Sequence, residues 1–175
     1  PLGQIGKYVG IRQGALVDKA KDRMYSIVNM EKNDKATTIH PLPVMKVAEM
    51  YFLRAEGALR GWNMGGTAQS LYEEGIKVSF DEYEVAGEYA AYIADDTKMA
   101  ADYVDPQNSV NNHPAVNLVT VKWNDTATNE VKLQKIITQK WIAMFPEGQE
   151  GWSEFRRTGY PKLFPVVNNY SNNVI

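Results

Sequence analysis

Apolar residues recur every three or four positions from Val44 onward. Val44, Val47, Ala48, Tyr51, Ala55, Ala58 and Leu59 share one side of a helix that the spacing predicts to about Arg60. Gly61 and Gly65-Gly66 end it, and the Thr67 hydroxyl is placed to cap a second helix through Ala68, Leu71, Tyr72, Gly75, Ile76 and Phe80. A turn this short makes the two helices antiparallel neighbours, and small side chains at Ala55, Ala58 and Ala68 let them approach closely. A third helix is expected from about Ala86 to Tyr103, closed by Asp105-Pro106. Thr128 and Glu130 open a fourth, with Leu133, Ile136, Ile137, Trp141, Met144 and Phe145 along one side. Pro146-Glu147-Gly148 stops it, and a short fifth helix, Glu150 to Thr158, presents Trp152 and Phe155 three apart before Gly159-Tyr160-Pro161. Tyr51, Tyr72, Trp141, Trp152 and Phe155 are expected in the core.

Elsewhere the periodicity fails. Residues 1–43 carry Gly3, Gly6, Gly10 and Gly14 with short β-like runs such as Tyr8-Val9-Gly10-Ile11 and Tyr25-Ser26-Ile27-Val28, and the Pro41-Leu42-Pro43 step precedes the first helix. Residues 104–127 are rich in asparagine and read as a long surface loop; residues 162–175 are a polar tail. The expected fold is mainly α: a tetratricopeptide-like helical hairpin (44–103 with the third helix), C-terminal helices (128–161) and irregular loop segments. The hairpin's length and the missing final proline depart from the tetratricopeptide pattern, and no second copy recurs at a fixed period.

Composition narrows the function. At 175 residues the chain suits one domain, large enough to form a core without covalent staples. Nineteen Lys and Arg against 21 Asp and Glu give a net charge of −2, without the basic field that nucleic-acid binding needs. With no cysteine there is no disulfide, thiolate metal site or cysteine nucleophile. No apolar run reaches the roughly 18 residues of a membrane span. The chain starts at Pro1 and stops at Ile175 without a start methionine, and so reads as a piece of something longer.

Catalytic and metal constellations are not evident. His40 and His113 each precede a proline, in extended or turn segments far apart in sequence, and read as ordinary loop histidines. Phosphate loops, zinc-protease pairs and nucleophile elbows are missing. The glycines before Thr67 fit a turn better than a phosphate cradle. Adjacent on one helix, Glu73 and Glu74 point apart and cannot flank a glycosidic bond. Glu49 and Glu56 lie seven apart on one helical face, where an arginine of the Arg156-Arg157 pair is expected to meet one of them as a structural ion pair. No catalytic residue, cofactor or metal is assigned. Loop aromatics with nearby amides are the raw material of sugar recognition, since a ring stacks on a sugar face and amides bond hydroxyls. On residue type and position alone, Tyr8, Arg12, Gln13, Tyr25, Tyr103 and Trp123 are the candidate ligand contacts, with Asn29, Asn108, Asn111 and Asn112 near them.

Three ordered blocks carry a family resemblance. Val44-Met45-Lys46-Val47-Ala48-Glu49-Met50-Tyr51-Phe52-Leu53-Arg54-Ala55-Glu56-Gly57-Ala58 looks like a scaffold helix of the SusD/RagB family, and Leu71-Tyr72-Glu73-Glu74-Gly75-Ile76 resembles the helix that follows it. Ile137-Thr138-Gln139-Lys140-Trp141-Ile142-Ala143-Met144-Phe145 and Glu150-Gly151-Trp152-Ser153-Glu154-Phe155-Arg156-Arg157-Thr158-Gly159-Tyr160-Pro161 resemble its C-terminal signature. A weaker likeness links Tyr8-Val9-Gly10-Ile11-Arg12-Gln13-Gly14 to a loop of the SusD-like subgroup.

The resemblance implies that 1–175 is part of a single SusD-like domain. It implies a non-catalytic lipoprotein on the extracellular face of a Gram-negative outer membrane, anchored through an upstream lipidated cysteine. Such a protein captures an oligosaccharide and delivers it to a SusC-like TonB-dependent transporter. One branch of the family binds peptides instead. A helical adaptor without glycan binding and a glycoside hydrolase fragment are the rivals from other classes. The matching blocks are scaffold, so no binding residue is carried over from them.

Overall fold

The computed structural model describes residues 8–18, 24–26 and 45–169. Asn29, His40, the Ile27-Val28 run, the Pro41-Leu42-Pro43 step and Val44 lie outside the described residues, as does the end of the polar tail from residue 170. Two compact units are present. One comprises Leu42–Met99 and Asn117–Lys162; the other comprises Pro1–Pro41, Ala100–Val116 and Leu163–Ile175.

The first unit is helical: α1 Val47–Leu59, α2 Ala68–Glu82, α3 Tyr89–Ala94, α4 Asn129–Ala143 and α5 Gly148–Thr158. Among the described residues of the chain there is no β-strand beyond one isolated antiparallel bridge, Tyr103 with His113. Thr67 caps α2 as its sequence position requires: its hydroxyl accepts from the Ser70 N–H at 3.0 Å, and the Ser70 hydroxyl accepts from the Thr67 N–H at 3.0 Å. Thr128 caps α4 by accepting from the Val131 N–H. At the far end Gly159 adopts φ +72°, the left-handed turn that closes α5.

The hairpin packs through a glycine. A Cβ on Gly75 would stand 3.0 Å from the Phe52 ring, so the missing side chain is what lets α2 sit against α1. Around this contact Ala48, Phe52, Ala55, Leu71, Tyr72, Ile76, Ile136, Ile137, Ala143 and Met144 form one buried core.

Three expectations change. The third helix ends at Ala94, nine residues short of Tyr103, because the Asp95 carboxylate accepts from the Thr97 and Lys98 N–H groups and turns the chain. Trp152, expected in the core, is 51% exposed and stacks on Phe155 at 5.7 Å. Residues 117–123, expected in a surface loop, run into the core. There the Tyr72 hydroxyl donates to the Val121 carbonyl at 2.6 Å, and the buried Lys135 ammonium donates to the carbonyls of Thr120 and Lys122 and to the Thr120 hydroxyl. Burial pushes the Lys135 pKa down.

Candidate functional site

Five of the six candidate ligand contacts belong to the irregular unit, and two of these, Tyr25 and Tyr103, reach a carboxylate, Asp105, that the sequence marks only as a helix stop. Asp105 begins an Asp-Pro-Gln-Asn turn. Its Oδ1 accepts from the N–H groups of Gln107 and Asn108 at 2.8 Å each, and the Tyr25 hydroxyl donates to both oxygens at 2.9 and 3.0 Å. The Asn111 side-chain amide donates to Oδ2 at 3.0 Å. Burial opposes ionisation of Asp105, yet this set of donors outweighs it and holds the pKa below the ordinary aspartate value. Tyr25 moves the other way: burial and then the neighbouring carboxylate push its hydroxyl pKa up.

Arg12 closes the same cluster from its other side. Its Nη1 donates to the Asn111 carbonyl at 2.8 Å, and Nε and Nη2 donate to the Pro165 carbonyl at 3.1 and 2.6 Å. Its guanidinium also lies 5.7 Å from the Phe164 ring centroid, and Phe164 packs on Tyr103 and His113. The Tyr103 hydroxyl donates to the Gly10 carbonyl at 2.9 Å and accepts from the Arg12 N–H at 3.2 Å. Gly14, at φ +75°, turns the chain so that the Gln13 carbonyl accepts from the Val167 N–H.

Arg12, Tyr25 and Tyr103 are therefore brought together, but as a frame: their polar atoms bond the chain itself. On that frame Tyr8 stands 95% exposed, beside a Val9 whose backbone pairs with Ser26 in both directions. Gln13 is also exposed. The cluster thus ties down backbone next to Tyr8 and at Gln13, and both of these side chains face solvent.

Trp123 belongs to the helical unit and is corrected from a loop platform to a core residue. It is 8% exposed, its ring lies 5.1 Å from that of Tyr72, the Lys132 ammonium sits over it, and its Nε1 donates to Asp125 at 2.9 Å. Its remaining surface contributes to a cavity of about 520 Å³ shared with Leu118, Thr120, Lys122 and Asn124. The sequence reading missed Asp105 as a hub, and it missed Phe164 and Pro165 altogether. The signal for Asp105 was local, since an aspartate before Pro-x-Asn is an Asx-turn pattern; Phe164 and Pro165 carry no such mark. Among the described residues no group of three His, Cys, Asp or Glu side chains is arranged to hold a metal ion. None of the described helices is long and apolar enough to cross a membrane.

Comparison with known proteins adds the family. The SusD-like family, described as "Susd and RagB outer membrane lipoprotein", matches residues 2–175. A chitin-binding SusD homolog from Flavobacterium johnsoniae is 73% identical over 73% of this chain and 26% of its own, with a TM-score of 0.71. A SusD homolog from Bacteroides thetaiotaomicron is 44% identical over 91% of this chain and 33% of its own (TM-score 0.75). One from Bacteroides vulgatus is 37% identical over 99% of this chain and 35% of its own (TM-score 0.86). The chain thus spans about a quarter to a third of the length of these solved relatives. No curated protein matches it. With the helical scaffold blocks in place and the match running nearly end to end, the chain belongs to the SusD/RagB family, whose members are described as outer membrane lipoproteins.

Proposed function

We propose that this chain is part of a cell-surface protein that binds oligosaccharides of N-acetylglucosamine, the chitin class, and hands them to a SusC-like TonB-dependent transporter. The observation that carries the ligand class is the 73% identity to a chitin-binding homolog. At that identity the side chains facing a shared ligand are expected to be largely the same. The work is binding and release without bond cleavage, on the extracellular face of the outer membrane. Within the 175 residues, the exposed Tyr8 ring is the proposed sugar-stacking contact, with Gln13 bonding hydroxyl or acetamido groups.

Calorimetric titration of the whole protein with hexamers of N-acetylglucosamine, glucose in β-1,4 linkage and glucose in α-1,4 linkage tests the ligand class. Saturable binding of the first, at least tenfold tighter than the others, is the expected result. Binding of peptides alone would move the protein to the peptide-binding branch, and new reducing ends in the mixture would replace this reading with a hydrolase. Co-purification of the transporter from solubilised outer membranes tests the hand-over.

A further inference from the structure

Three helices of the helical unit meet at one buried cation. Lys140 on α4 is 1% exposed, and its ammonium lies 2.7 Å from Glu150 and 2.8 Å from Glu154, both on α5, and 3.4 Å from Glu49 on α1. Glu154 is shared with Arg157, whose two Nη atoms donate to the Glu56 carboxylate of α1 at 2.7 and 2.6 Å. Arg60 bonds Glu56 as well, at 2.7 Å. The expected pairing of Glu56 with the Arg156-Arg157 dipeptide is thus real, and it is one corner of a larger network.

Charge in that network does not balance among the described residues. Four carboxylates (Glu49, Glu56, Glu150, Glu154) face three cations (Arg60, Lys140, Arg157), so full ionisation leaves one negative charge in excess; Lys140, Glu49, Glu56 and Glu154 are largely shielded from water, while Glu150, Arg60 and Arg157 stay partly exposed. Glu49 and Glu150 compete for a single ammonium, and Glu49 holds the longer contact. Like charges sharing a site favour proton uptake by one of them. Lys46, just before α1, is engaged by Glu82 of α2 at 3.1 Å.

We propose that this cluster is a proton-dependent clasp that docks α5 onto α1 and α4, with Glu49 as the group that takes up and releases the proton. Protonated, Glu49 donates a hydrogen bond toward Glu150 and leaves three carboxylates against three cations. Ionised, it adds the uncompensated charge and loosens the α5 side of the contact. Burial raises the Glu49 pKa, the Lys140 charge opposes that, Glu150 reinforces it, and the outcome is upward. A raised folded-state pKa means stability that is present at low pH and lost as pH rises through the folded value. Glu150 and Glu56 are shifted down, so their contribution is present above the ordinary glutamate range and lost as pH falls. Docking of α5 is therefore tightest in a mildly acidic window between these limits.

Hydrogen exchange of the α5 amides in the whole protein from pH 5 to 8, corrected for intrinsic rates, tests the clasp. The expected result is a several-fold loss of protection toward pH 8, with about tenfold corresponding to a one-unit shift. Glu49→Gln should remain protected across the range. A flat profile in the unsubstituted protein, or an equal slope in Glu49→Gln, overturns the proposal. Should that variant fail to fold, a carbon-13 carboxyl titration of Glu49 in the unsubstituted protein decides the matter. A midpoint above the ordinary glutamate value supports the clasp, and one at or below it overturns it.

Discussion

In the helical unit, position is fixed mainly by side chains that leave water together. Phe52, Leu71, Tyr72, Ile136 and Ile137 interlock, and the polar groups drawn in with them, Lys135 and Lys140, are each met by several partners. In the irregular unit the described residues make few such contacts. Position there comes from Asp105 and Arg12, which bond backbone N–H and carbonyl groups that no helix satisfies. The lesson is that an irregular segment becomes rigid only if something else pairs its backbone, because unpaired buried peptide groups are costly. A frame of this kind can present Tyr8 and Gln13 to solvent while staying ordered, whereas a helix face that buries its aromatics cannot.

The largest effects should fall on the helical unit. Trp123→Ala is expected to cost about 3–5 kcal/mol in urea unfolding, through lost burial against Tyr72. A loss below about 1 kcal/mol would return Trp123 to the surface loop. Lys140→Met should cost a similar amount, about 3–5 kcal/mol, because it strands three carboxylates around an apolar side chain. A neutral result there would mean that the cluster is well solvated.

Smaller and local effects should mark the irregular unit. Asp105→Asn is expected to cost about 1.5–3 kcal/mol, the scale of hydrogen bonds to a charged group. Hydrogen exchange should place the loss in 8–18 and 100–116 and leave α1, α2 and α4 protected. The same residue sets a pH dependence. With its pKa depressed, the stability Asp105 contributes is present above the ordinary aspartate value and lost as pH falls through the folded one. Acid should therefore open these segments, and the Asn variant should lack that step. Tyr8→Ala comes last in stability, under about 0.5 kcal/mol, since the side chain is almost wholly exposed. Its effect should appear in glycan affinity, and unchanged affinity would remove Tyr8 from the site.

Helices α1, α2, α4 and α5 were legible because their apolar residues repeat with the helical period, and because Thr67, Thr128 and Gly159 mark their ends through bonds or a backbone turn made within a few residues. The contact of Arg157 with Glu56, by contrast, spans 101 positions and was expected from complementary charge alone, with Glu49 and Glu56 equally open as its partner. Trp123 and Arg12 show where local reasoning stops. Both lie in segments without periodicity. One was buried by Tyr72, 51 positions away in sequence, and the other engaged by a carbonyl 153 positions away. The third helix was overestimated because an Asx turn at Asp95 competes with the helix on equal local terms.

By itself, the sequence determined the helical scaffold, its caps and the family, since these depend on contacts three or four residues apart and on ordered blocks that a linear reading captures. The tertiary structure alone decided which loop aromatics became core, which became frame and which stayed free. It also decided that four carboxylates would share three cations at the meeting of α1, α4 and α5. The physical reason is common to both. Burial and charge pairing depend on distances between segments that chain order does not set, and a side chain's exposure or pKa follows from what is folded against it.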